Sequence, residues 1–196
     1  VKKLYHLGQT PVRRSTLAEA NELRPAIIFE KTYHQLLARV YAEMTKQHKV
    51  NPEIKSIDAT TIDLCASVFP WAKFREKKGA IKLHTVLVDM LPHCIILSDG
   101  KKHDLAAAKE MQFAPGDLLI MDRAYIDYAW LFGLHRQEVW FVTRLKANAC
   151  FEVQEDGKIT APGQILADQV IRFTSDHGCT AYPEPLRRVH YRDPET

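Results

Sequence analysis

Apolar positions change their period after Val50, and the change divides the chain. Upstream they recur every three or four residues. Phe29, Tyr33, Leu36, Leu37, Val40, Tyr41 and Met44 line one face of a helix, which reads as a packing face. A shorter helix precedes it, with Thr16-Leu17-Ala18-Glu19 fitting a capping box and Pro25 breaking the run. Beyond Asn51-Pro52 the period falls to two. Strands are predicted at 54–59, at 80–88 with clear alternation, and at 93–98 after Leu91-Pro92. A helix from Asp104 to Gln112 follows, with Asp104 as its cap and Pro115-Gly116 as its stop. A short apolar strand covers 117–122. Asp127 caps a further helix running to Gln137, and a fifth strand covers 139–144. Trp71, Trp130 and Trp140 read as core residues.

Residues 51–147 therefore read β-β-β-α-β-α-β. Three strands in close succession form an antiparallel meander, and strands separated by helices require parallel crossovers. The expected fold class is α/β, a mixed five-stranded sheet with flanking helices. That order of elements is the ribonuclease H-like one. Three segments are expected: a helical lead-in at 1–50, the core at 51–150, and the incomplete start of a β-rich insertion at 151–196. In the last, β-like pieces at 151–153, 170–173 and 188–191 stand among Gly, Pro and Asp.

Composition narrows the function classes. Of 196 residues, 46% are hydrophobic and 26% charged, a globular balance that argues against disorder. No apolar run of about 18 residues occurs, so no membrane span is expected, and the first residues lead into no secretory h-region. Cys65, Cys94, Cys150 and Cys179 are far apart, which fits reduced thiols in a cytosol better than zinc or disulfides. The net charge is +3, with +5 in residues 1–50 and −3 in residues 151–196. A basic bias at one end permits nucleic-acid binding without demonstrating it.

Two acids stand out. Asp58 lies in the first core strand, where a carboxylate is disfavoured without a partner. Asp122 ends the apolar run 118–121, and in α/β sheets ligands bind at strand carboxyl ends. If the two strands adjoin, the carboxylates meet and repel unless a cation intervenes, and oxygen-only ligands favour Mg²⁺ or Mn²⁺. A turn residue at Asp58 and a helix-entry cap at Asp122 account for the same pattern. Lys73, Arg75, Lys77, Lys78 and Lys82 form a basic run suited either to phosphate contact or to a solvated loop. Lys82 and His84 share a strand face and are expected to flank the site, with metal ligation by His84 the lesser alternative. Arg123 can meet a phosphate or a neighbouring carboxylate, and Arg144 and Lys146 are placed to reach a DNA groove.

Taken in order, several blocks resemble the DDE transposases of bacterial insertion sequences, of the insertion-sequence-four type. They are 15–22 with Ile28-Phe29-Glu30, Asp58-Ala59-Thr60-Thr61-Ile62, Trp71-Ala72-Lys73 with 79–84, 99–104, Asp122-Arg123-Ala124-Tyr125-Ile126-Asp127-Tyr128, and 141–148. The resemblance implies a ribonuclease H-like core holding two divalent metals (Mg²⁺ or Mn²⁺), with Asp58 and Asp122 as catalytic metal ligands. It implies cleavage and strand transfer at insertion-sequence ends. Double-stranded DNA is the implied partner, with a homodimer in the complete enzyme, in a bacterial cytoplasm at the nucleoid. The third acid of the resemblance is a glutamate in a Tyr-x-x-Arg-x-x-x-Glu-x-x-x-x-x-x-Lys helix, and no segment here matches it. Glu184 and Glu195 sit in no helical pattern. The chain is therefore expected to be cut short and inactive alone. A DNA-binding or transposase-binding remnant and a stand-alone nuclease with a substitute acid are the alternatives.

Overall fold

The computed structural model describes residues 12–47, 54–64, 73–75, 78–88, 91–159 and 164–192. The chain divides into two compact units, Val1–Val50 and Asn51–Thr196.

In the first unit, α1 spans Arg14–Leu23 and α2 spans Ile27–Gln47. The expected capping box does not form: Arg13 is the cap residue and makes no side-chain cap bond. The helix starts two residues before Thr16, which leaves that hydroxyl inside the first turn. Arg24 is extended, at ψ 133°, as a residue before proline must be. Phe29, Leu36 and Val40 are exposed, so the apolar stripe is not buried by these two helices.

The second unit is built on one mixed sheet. Its strands are β1 (Ile54–Leu64), β2 (Lys73–Arg75), β3 (Lys78–Val88), β4 (Leu91–Asp99), β5 (Leu118–Met121) and β6 (Trp140–Val142). β3 pairs antiparallel with β1 and with β4, and the short β2 also pairs with β3. β1 pairs parallel with β5, and β5 parallel with β6. This is the mixed ribonuclease H-like α/β sheet, with β2 as a small sixth strand. β1 runs to Leu64, five residues past its apolar start, because β3 offers a long antiparallel ladder down to Gly79.

Helices α3 (Asp104–Ala108) and α4 (Tyr128–Arg136) make the crossovers. α3 is shorter than its sequence suggests: after Ala108 the chain tightens into turns in which Glu110 bonds Ala107 and Met111 bonds Ala108. Its cap residue is His103, and Asp104 is its first helical residue. Asp127 caps α4 as expected, accepting from the Trp130 amide at 2.7 Å. A second sheet orders β7 (Phe151–Asp156), β8 (Ile165–Phe173) and β9 (Leu186–Tyr191), with α5 (Asp176–Ala181) between the last two. It joins the main core through Phe173 and Tyr182. Tyr182 packs among Phe132, Phe141 and Phe173, and its hydroxyl lies 2.8 Å from His135 Nδ1. Gly178 lets α5 sit close to β8, since a Cβ there would lie 2.9 Å from the Phe173 Cβ.

The core is one-sided. Ile57, Val86, Leu119 and Met121 share a sheet face and pack with Tyr125, Leu131 and Leu134. The alternate residues point the other way. Ile95 and Leu97 of β4, Ile54 and Ile62 of β1, Ile120 of β5, and Trp140 and Val142 of β6 are all exposed. Trp140 is 61% exposed, so it is not the core residue its size suggested, whereas Trp130 packs on the core. Trp71 lies outside the described residues. Parallel strands are ordinarily buried on both faces, so this apolar surface is unusual.

The two faces should respond differently to truncation. Leu119, at 0% exposure, should cost about 2–5 kcal/mol when changed to Ala. Leu97, at 66% exposure, should cost no more than about 0.5 kcal/mol. Urea denaturation of the two variants measures this; equal losses would mean that the second face is buried in solution.

Candidate active site

Asp58 sits in the middle of β1, opposite Thr85 of β3. Its Oδ1 accepts from the Ala59 amide at 2.8 Å. Asp122 follows the last residue of β5, extended at φ −83° and ψ 179°, and opens a single 3-10 turn at Arg123–Tyr125. Its Oδ1 accepts from the Ala124 amide at 2.8 Å, so it does cap that turn. The Thr143 hydroxyl holds the Asp122 carbonyl at 3.2 Å.

The parallel register pairs Ile57 with Met121. Continued by one step, that register brings Asp58 level with Asp122, on backbones that a sheet spaces about 5 Å apart. Both are exposed and both point to the uncovered face, away from Ile57 and Met121. Each carboxylate spends one oxygen on a backbone amide and leaves the other without a protein partner among the described residues. Two adjacent acceptor-only carboxylates repel, and a cation relieves that repulsion. The donors are oxygens alone, which fits Mg²⁺ or Mn²⁺. Among the described residues no group of three His, Cys, Asp or Glu gathers to hold a metal.

The basic candidates scatter. Register brings Arg144 level with Asp122, two residues past the last β5–β6 pair of Ile120 with Val142, and it is exposed. Arg123 is exposed in the turn after Asp122. Lys146 reaches the Ile126 carbonyl at 3.4 Å. Lys73 and Arg75 fall on β2 and Lys78 opens β3, while Lys77 lies outside the described residues. Lys82 and His84 do share a face, but it is the covered one, turned away from Asp58.

On that covered face lies a second polar cluster. Lys82 Nζ sits 2.9 Å from Asp104 Oδ1. His84, at 0% exposure, places Nε2 2.9 Å from Ser98 Oγ and Nδ1 3.7 Å from Asp104 Oδ1. The Ser98 hydroxyl donates to the Asp99 carbonyl at 3.1 Å, so it accepts from Nε2–H. Nδ1 is then an unprotonated acceptor with no hydrogen-bond partner among the described residues. Burial lowers the His84 pKa from its ordinary value, against the pull of Asp104 and with the help of Lys82 and Lys102. Tyr125 is buried too, and its hydroxyl has no partner among the described residues. Burial raises its pKa, and Asp104, Asp58 and Asp122 raise it further. Neither Tyr125 nor Asp104 stood out along the chain as part of a site; the available signal was an aromatic residue three positions after Asp122.

The parallel β1–β5 contact thus carries one carboxylate within β1 and one at the end of β5, inside a ribonuclease H-like sheet. Residues 51–191 match the family described as Transposase DDE domain, and the chain belongs to that family. It is 23% identical over 136 residues to a probable transposase for insertion sequence element IS5377 from Geobacillus stearothermophilus. That match covers 68% of this chain and 36% of the relative, so the chain spans little more than a third of the relative's length. No solved structure matches significantly. No described helix is long and apolar enough to cross a membrane.

His84 gives a pH test. Its folded pKa lies below the ordinary 6.5, so the unfolded chain binds more protons between the two values. The stability it contributes is full above 6.5 and is lost as pH falls through the folded value. Urea midpoints compared between about pH 7.5 and about pH 5 should fall less in His84→Gln than in the parent. Parallel curves for the two proteins would refute a buried neutral imidazole.

Proposed function

We propose that this chain carries two of the three acidic ligands of a DNA transposase of the insertion-sequence-four type, acting at insertion-sequence ends. The observation behind this reading is the β1–β5 register, which sets Asp58 beside Asp122 on an accessible face. Asp58 and Asp122 would hold Mg²⁺ or Mn²⁺. Held there, such ions would supply activation of an attacking oxygen and stabilisation of a leaving one in phosphodiester cleavage and strand transfer. The Ala59 and Ala124 amides fix one oxygen of each carboxylate and so aim the other outward. Arg144 and Arg123, exposed beside Asp122, are placed to receive the phosphates of double-stranded DNA. Lys146, exposed after β6, extends that surface.

The third acid belongs, on this reading, to an element that covers the bare apolar face. Asp58 and Asp122 lie on that face, so a covering helix passes over them. Glu184 acts on Tyr182, a residue of the covered core, and is not the third ligand on this reading. The chain alone is then a poor catalyst, and the complete enzyme, a dimer on DNA at the bacterial nucleoid, supplies what is missing. The match spans 36% of the relative, which supports reading the chain as part of a longer transposase.

Supercoiled plasmid with Mn²⁺ tests this. Slow metal-dependent nicking is expected, reduced at least about 100-fold in Asp58→Ala and in Asp122→Ala. Nicking that survives both substitutions places the chemistry elsewhere. Plasmid binding without nicking, unchanged by either substitution, identifies an inactive DNA-binding remnant instead.

A further inference from the structure

Lys82 and Asp104 form a salt bridge that the proposed reaction does not use directly. It is largely sheltered: the Lys82 side chain is 18% exposed and that of Asp104 23%. Lys82 belongs to β3, whose register pairs it with Thr61 of β1 and sets the neighbouring Thr85 against Asp58. Asp104 is the first residue of α3. That helix packs on the 3-10 turn whose N-cap is Asp122. The bridge therefore links the strand beside Asp58 to the support beneath Asp122.

The loop between is held by the same network. Asp99 Oδ1 accepts from the Lys101 and Lys102 amides at 3.0 and 2.9 Å, and the buried Gly100 donates to the Ala80 carbonyl at 2.8 Å. Ser98 joins His84 to that loop. Asp104 then approaches β3 with one oxygen facing both the Lys82 ammonium and His84 Nδ1. A carboxylate and an unprotonated imidazole nitrogen are both acceptors, so they cannot satisfy each other. The ammonium is the donor that holds Asp104 in place.

We propose that Lys82 and Asp104 are positioning residues for the Asp58–Asp122 pair. Their bridge locks α3 onto β3, and α3 buttresses the turn that aims the Asp122 carboxylate. Tyr125, the last residue of that turn, is the contact through which the buttress acts. Its buried phenol lies within the field of Asp104, Asp58 and Asp122 together. Loss of the bridge frees the turn, and the Ala124 amide lets go of Asp122 Oδ1 before the rest of the fold responds.

This inference rests on the reading of Asp58 and Asp122 as metal ligands, but its main readout does not. Amide hydrogen exchange at Ala124 reports the cap of Asp122, while Trp130, capped by Asp127, reports the fold nearby. In Asp104→Asn, and in Lys82→Met should the first variant fail to fold, exchange at Ala124 should rise at least about tenfold with Trp130 nearly unchanged. The double variant Lys82→Asp with Asp104→Lys should restore Ala124. Equal acceleration at both amides, or none at Ala124, overturns the proposal. Mn²⁺-dependent nicking measured on the same proteins separates the two claims. A turn that loosens in a chain that never nicks refutes the metal reading and leaves the buttress standing.

Discussion

Parallel pairing of β1 with β5 is the contact on which the rest depends. The two strands are far apart in sequence, and nothing between them forces the meeting except burial. Ile57, Leu119 and Met121 must leave water together, and they do so against Leu131 and Leu134 of the crossover helix. Side chains alternate along a strand, so fixing the apolar set on one face fixes the polar set on the other. A slip of one residue would bury Asp58 and expose Ile57. The placement of the two acids is thus a by-product of core packing, and it needs no direct attraction between groups that repel each other.

The same alternation divides the sheet into two chemical surfaces. The covered face carries the hydrophobic core and a closed polar cluster, in which Lys82, His84, Ser98 and Asp104 meet most of one another's needs. The other face carries Asp58, Asp122 and a spread of exposed aliphatic side chains. Helices α3 and α4 both lie on the first surface, and the second sheet extends it through Phe173 and Tyr182. A charge on the covered face is expensive unless paired, which is why Lys82 and Asp104 sit together. A charge on the bare face remains solvated, so Asp58 and Asp122 keep free oxygens at little cost.

The sheet was largely legible because its strands carry local signals. β3 alternates cleanly and β5 is an unbroken apolar run into an aspartate, so both strands could be placed, with Asp122 at the end of β5. What could not be read was set by partners far along the chain. The second half of β1 contains Thr60, Thr61 and Asp63, which give no strand signal, and it is held extended by β3. Ile95 and Ile96 look alike in sequence, yet one is exposed and the other faces the core side. Which of them is buried depends on which face the helices chose. Trp140 misled for the same reason: its size argues for burial, but its register assigns it to the open face. The Lys82–Asp104 bridge joins residues whose individual patterns suggested a strand face and a helix start.

On the proposed reading, one-sided burial also ties metal and cover together. An apolar layer placed over Ile120, Val142 and Leu97 would gain from removing them from water. It would also strip water from Asp58 and Asp122 on the same face, and two unscreened carboxylates at that spacing oppose the move. A divalent ion between them removes the opposition, and the layer in turn keeps solvent from competing for the ion. Each event lowers the cost of the other, and by thermodynamic reciprocity the coupling is equal in both directions. On the proposed reading, an apolar surface around a repelling acid pair would bind metal weakly while the face is open, and strongly once a third ligand came with a layer that closes it.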